Sequence, residues 1–219
     1  LTAYTKTINF TICFDIYNTP ELHFQEKDNL KIESKEKKQL KLNCSDYPKS
    51  FIRYKSNHPE IITVSDGKIT AIRPGKAIIS AIGLDNKTAQ IKISVISNKG
   101  LISKETLNKY HANKYKNVMI VAHPDDETLW GGANLIRDKF FVVCLTNGYH
   151  LKRSNDFRKI LNFTKNNGII LNYPDVQDNI RDNWSEVQKG IIKDLSTILS
   201  YKYWNKIVTH GPDGTTGHS

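Results

Sequence analysis

Two different periods of hydrophobic and polar positions divide this chain. Residues 7–17 place Ile8, Phe10, Ile12, Phe14 and Ile16 at every second position, which predicts a strand with one buried face, ended by Pro20. From residue 21 to 97 short patterns of the same kind recur. Leu40, Leu42 and Cys44 alternate, then come 51–54, Ile61–Val64, Lys68–Ile72, Ala77–Ile82 and Thr88–Ile96. Turn residues separate them: Ser65-Asp66-Gly67 carries the Asp-Gly pair of a tight hairpin, and Arg73-Pro74-Gly75 is a second turn. Short strands at this spacing, without helical periodicity, predict a β-sandwich.

After a polar, Lys-rich stretch at 98–116, read as a linker with about one helical turn, the pattern changes. Apolar strands are expected at Val118–Ala122, Phe140–Leu145, Ile169–Leu171 and 207–209. Between them lie helical spacings: Leu129, Ala133 and Ile136; a helix over 154–166 with Ser154 as N-cap; and a stripe of Val187, Ile191, Leu195, Ile198 and Leu199 over 185–203. Strands alternating with helices predict a parallel α/β sheet. The expected divisions are an N-terminal strand segment (1–20), a sandwich (21–97), a linker (98–116) and an α/β domain (117–219).

Composition changes the picture mainly through charge. The net charge is +10, and residues 1–114 hold 19 Lys and Arg against 11 Asp and Glu, so the excess belongs to the first half. Only six of the cations are Arg, the side chain best suited to phosphate and base recognition, and no stacking platform accompanies them. Nucleic acid is therefore not expected as a partner. The charge fits a solvated basic surface or attraction to an anionic cell-wall polymer. No apolar run is long enough for a transmembrane helix. Three cysteines exclude a disulfide scaffold, although Cys13 and Cys44 could pair if strand 7–17 lies on the sandwich.

The candidate chemistry lies where α/β strands end. Ala122-His123-Pro124-Asp125-Asp126-Glu127 follows the first of these strands, at the carboxyl edge where open α/β sheets bind ligands. His123 and an Asp three residues on can reach one cation, and imidazole with carboxylate suits Zn²⁺. The same acids would also cap the helix that follows. Thr209-His210-Gly211 and Gly217-His218-Ser219 follow the fourth strand, in a Gly-rich loop on the same edge.

Two resemblances arise from these residues. The hairpin from Ser56 to Ala81 resembles the bacterial Ig-like domain of group 2, found on exported or surface proteins. Together, the Ala-His-Pro-Asp-Asp-Glu and Gly-His segments resemble the LmbE/PIG-L family of zinc-dependent N-acetylglucosaminyl deacetylases, with a Rossmann-like fold. That resemblance implies a hydrolase that removes the N-acetyl group from an amino-sugar glycan or glycoconjugate. It implies His123 and Asp126 as Zn²⁺ ligands, Asp125 as general base and then acid, and His218 as oxyanion stabiliser. It also implies a third metal ligand at position 221, beyond Ser219. Arg153-Ser154-Asn155-Asp156-Phe157 resembles the family's Arg-x-x-Glu-Leu, with Arg153 either contacting substrate or pairing with Asp156. His210 is expected to order its loop and Glu127 to brace the motif. The implied setting is the bacterial cell surface or exterior. The alternative is a non-catalytic surface- or wall-binding protein whose second half has lost its activity.

Overall fold

The structure, a computed structural model, describes residues 22–44, 49–83 and 86–211. Strand 7–17, Cys13 and His218 lie outside the described residues.

Among the described residues, nine strands form the first half: β1 (His23–Phe24), β2 (Leu30–Glu33), β3 (Lys37–Gln39), β4 (Leu42–Asn43), β5 (Arg53–Ser56), β6 (Ile62–Ser65), β7 (Lys68–Ala71), β8 (Gly75–Ile82) and β9 (Thr88–Ile96). They make a four-stranded sheet, β2-β9-β8-β5, and a three-stranded sheet, β3-β7-β6, with β1 and β4 as a separate pair. Alternation decides which face is buried. In β9, Ala89, Ile91, Ile93 and Val95 are buried, while Thr88, Gln90 and Lys92 are exposed. Ile91, Ile93 and Val95 pack against Ile61, Ile62 and Ile69 into one core, while Ala89 joins a smaller cluster with Ile52 and Ala81. At the β6–β7 hairpin, Asp66 and Gly67 both take positive φ, 49° and 73°, as a two-residue turn of the primed type requires.

The second half contains α1 (Lys104–Lys109), β10 (Asn117–Val121), α2 (Asp126–Leu129), α3 (Gly132–Arg137), β11 (Phe140–Thr146), α4 (Leu151–Phe163), β12 (Asn167–Tyr173), β13 (Val176–Gln177), β14 (Ile180–Arg181), α5 (Gln188–Leu199) and β15 (Lys206–Val208). Strands β12-β11-β10-β15 form one parallel sheet, and β13 pairs with β14 as a hairpin. Every residue of β11 is buried, as expected for a parallel strand covered on both faces. The chain as a whole is β-rich. Among the described residues no helix is long and apolar enough to cross a membrane.

Several local expectations shift. The stretch 98–116 carries α1, whose Ser103 caps the helix in a reciprocal box with Thr106. Ile102, Leu107 and Ala112 from this stretch belong to the α/β core. Leu129 and Ile136 do not line a buried helical stripe: Trp130 and Gly131 fall between two short helices, and the two side chains are 67% and 74% exposed. Ser154 is not an N-cap but a buried residue inside α4, its hydroxyl donating to the Leu151 carbonyl.

The two halves meet across a polar seam. Gln177 pairs its side-chain amide with both backbone groups of Lys76, at 3.2 and 2.6 Å. His58 lies 3.1 Å from Asp178, and Lys31 lies 2.8 Å from Glu186. The Arg73 guanidinium sits 3.6 Å over the Tyr149 ring, a cation–π contact beneath which Arg73 is almost fully buried.

Candidate functional site

The parallel sheet brings three loops together at its carboxyl edge. Ala122 to Glu127 leaves β10, Asn147 leaves β11 and Asp175 leaves β12. Thr146 ties the first two, its hydroxyl and N–H both donating to the Ala122 carbonyl. His210, just after β15, accepts from the Ala122 N–H at 3.0 Å and thereby orders its segment.

His123 is the centre. Its Nδ1 lies 3.3 Å from Asp126 Oδ2 and its Nε2 lies 3.3 Å from Asp175 Oδ1. Hydrogen bonds to Asp126 first and Asp175 second raise the imidazole pKa to about 9. The reciprocal bond from His123 lowers Asp175 to about 2. Burial pushes Asp126 up, but bonds from the His123 ring and N–H outweigh it and leave it below its usual value. Arg153 completes the set, 3.1 Å from Asp125 and 3.6 Å from Asp175. Asn147, held in the left-handed region at φ 65°, donates to Asp175 at 2.9 Å. The cavity beside them holds about 210 Å³, with Leu129 and Trp130 at its wall.

The structure thus gathers His123, Asp125, Asp126 and Arg153, all named from the sequence. Asp175 and Asn147 were missed. Both directly follow strands of the same sheet, so the carboxyl-edge rule applied to every strand would have found them. Arg153 does not pair with Asp156, which instead meets Lys159 at 3.1 Å. Glu127 is buried; one oxygen accepts from the Thr128 hydroxyl, the other has no partner, and burial raises its pKa.

The arrangement is an internal ion-pair network of two cations and three carboxylates. An imidazolium lies between Asp126 and Asp175, and a guanidinium between Asp125 and Asp175, so Asp175 is shared by both cations. Both ring nitrogens of His123 face carboxylates, and Asp125 is engaged by Arg153. Among the described residues, no group of three or more His, Cys, Asp or Glu is arranged to hold a metal ion.

Comparisons with known proteins follow this geometry. No family model matches the chain. A curated protein, "Uncharacterized protein L374" of Acanthamoeba polyphaga mimivirus, is 29% identical over 126 residues, covering 51% of this chain and 54% of that protein. The chain therefore spans about half the length of that relative. Among solved structures, an intimin mutant of EHEC O157:H7 is 24% identical over 30% of this chain and 34% of its own, with a TM-score of 0.26. The C-terminal 282-residue fragment of intimin, solved in complex with the intimin-binding domain of its translocated receptor, is 20% identical over 52% and 47%, with a TM-score of 0.31. Domains 4 and 5 of the S-layer protein SbsC are 16% identical over 47% and 59%, with a TM-score of 0.29.

These findings correct the sequence reading. No family model supports the LmbE/PIG-L assignment or the group 2 Ig-like one, and the proteins found are an uncharacterized viral protein, intimin and an S-layer protein. The expected hydrolase, deacetylase and zinc enzyme find no support in these relatives or in the described residues. The physical reason is local: six residues of motif fixed the turn but not the partners, and here those partners are a counter-ion network.

That network has a pH signature. The His123 contribution is complete below its ordinary pKa of 6.5 and is lost as pH rises through about 9. The Asp175 contribution is complete above 3.8 and is lost as pH falls through about 2. Subtracting the melting temperature of His123→Ala from that of the native chain should leave a difference that is flat from pH 4 to 6.5 and shrinks toward pH 9. A difference that grows with pH over 6.5–9 would contradict the ion-pair assignment.

Proposed function

We propose that this chain is a non-catalytic binding protein of the bacterial cell surface, in which an Ig-like sandwich presents a Rossmann-like α/β half to a wall or surface polymer. The observation that carries the reading is the mutual ion pairing of His123, Asp126, Asp175, Arg153 and Asp125, which engages every one of these groups with another. Such a pocket offers a fixed polar surface to a ligand. The polar seam supports the same reading, because Gln177, Asp178 and Glu186 hold the two halves in one orientation. In this proposal His123, Asp125, Asp126 and Arg153 are pocket-lining groups.

Zn²⁺ enters only as a weak ligand. His123 and Asp126 are the two side chains that would hold it, after displacing the proton they share. A pair falls far short of a complete structural site, which supplies about 10–16 kcal/mol.

Co-sedimentation with purified, insoluble bacterial walls tests the proposal. The chain is expected in the pellet at low salt, released as salt rises, and unaffected by EDTA. A chain that stays in the supernatant, or is freed by EDTA alone, would sink it.

A further inference from the structure

The seam borders a second and larger cavity, about 510 Å³, which shares Arg181 with the cavity beside the His123 cluster. One wall is the outward face of the four-stranded sheet. Because Ile91, Ile93 and Val95 point into the sandwich, Lys92 and Ser94 point out, beside Lys76 and Ile78 of β8. The other wall is the β13–β14 hairpin and the loop to Glu186. The Gln177–Lys76, His58–Asp178 and Lys31–Glu186 contacts fix the two walls relative to each other.

The hydrogen-bonding groups around this cleft are unbalanced. Its acids are already engaged. Glu186 is held by Lys31 at 2.8 Å, Asp178 by His58 at 3.1 Å, and Asp182 accepts from the Trp184 N–H at 2.7 Å. Its donors are not. Lys76 Nζ makes no hydrogen bond or ion pair with a described residue. Asn57 and Asn183 each use only the side-chain oxygen, toward Ile78 N–H and Ser185 N–H, which leaves both amide nitrogens to face the cleft or solvent. The Lys92 ammonium meets Asp28 only at 3.8 Å, an exposed pair of little strength. A cavity of this size between two halves of a chain is a usual place for a ligand. One that offers ammonium and amide donors, with its carboxylates occupied, selects a ligand rich in acceptors and negative charge.

We infer that this junction cleft binds an acidic oligosaccharide, a hydroxyl-rich chain bearing carboxylate or phosphate groups. Lys76 pairs with the anionic group, and Asn57 and Asn183 donate to ring or hydroxyl oxygens. Ile78, on the outward face of β8, gives the apolar floor on which a sugar face can rest. The inference deepens the surface-binding proposal by giving it a site and a ligand class.

Titration calorimetry on the whole chain tests it with three probes: galacturonate tetramer, phosphorylated maltotetraose and neutral cellotetraose. At least one acidic probe is expected to bind at least tenfold more tightly than cellotetraose, and the stronger of the two names the anionic group. Lys76→Glu should weaken that binding at least tenfold, and Lys76→Arg should retain it. Asn183→Asp keeps the acceptor for Ser185 and removes the free donor, so it should also weaken binding. Lys76 is exposed and bonds only through its backbone, so melting temperatures should be unchanged and folding is not in question. Equal binding of neutral and acidic tetramers, no binding of either acidic probe, or native affinity in Lys76→Glu would overturn the inference. Wall sedimentation that persists in Lys76→Glu would leave the surface-binding proposal standing while removing this site from it.

Discussion

Asp194→Ala is expected to lower the stability of this protein by about 3–5 kcal/mol, read as a shift in the urea midpoint. Asp194 is fully buried in α5. Its two oxygens accept the Leu101 N–H at 2.9 Å, the Ile102 N–H at 2.8 Å and the Tyr173 hydroxyl at 2.7 Å. Burial raises its pKa, so ionising it there is costly, and these donors are what make the carboxylate tolerable. Alanine would remove the acceptor and leave three donors stranded, two of them buried and each of those costing roughly 1–3 kcal/mol, offset in part by losing the buried acid. Asp194→Asn should fall between, since one acceptor oxygen survives. A midpoint shift in Asp194→Ala worth under about 1 kcal/mol would show that water satisfies the stranded groups.

The second large effect is expected from Gly190→Ala, and its sign opposes helix propensity. In an open helix this change stabilises by about 1 kcal/mol. Here a Cβ at position 190 would lie 1.7 Å from the Ser97 carbonyl oxygen and 2.8 Å from its carbon, a backbone group that cannot swing aside. Helix α5 must therefore move off the segment leaving β9, and the loss should reach about 3 kcal/mol. Gly132→Ala is the control, since nothing lies within 4 Å of its added Cβ. It should be neutral or slightly stabilising. Equal effects at the two glycines would contradict the close approach at Ser97.

Elements whose cause is local were legible. Alternation in 88–96 and the Asp66-Gly67 turn each specify a strand or hairpin from adjacent residues alone, and both appear. The sheet-edge motif at 122–127 was legible in place, because a buried strand followed by His-Pro-Asp-Asp fixes where the chain turns. Its partners were not. Asp175 reaches His123 from a different strand, and Arg153 reaches Asp125 from α4. No periodicity records such pairings, so the motif suggested a metal centre where the fold supplies counter-ions. Helix starts failed for a related reason. Ser154 has the chemistry of a cap, yet the turn begins at Leu151 because Ser154 and Phe157 are drawn into the core.

The contacts that join the two halves also determine how the protein would carry a load. The linking segment Ser97–Ile102 is pinned by Asp194 and pressed against Gly190, so it holds no slack length to pay out. Tension pulling the sandwich away from the α/β half would fall at once on Asp194, on Gln177 at Lys76 and on Arg73 stacked on Tyr149. These contacts are spread across the seam and would have to yield together. A tether of the same length would extend first and resist later; this junction is stiff from the outset, and the half bearing the His123 cluster would turn with the sandwich under flow.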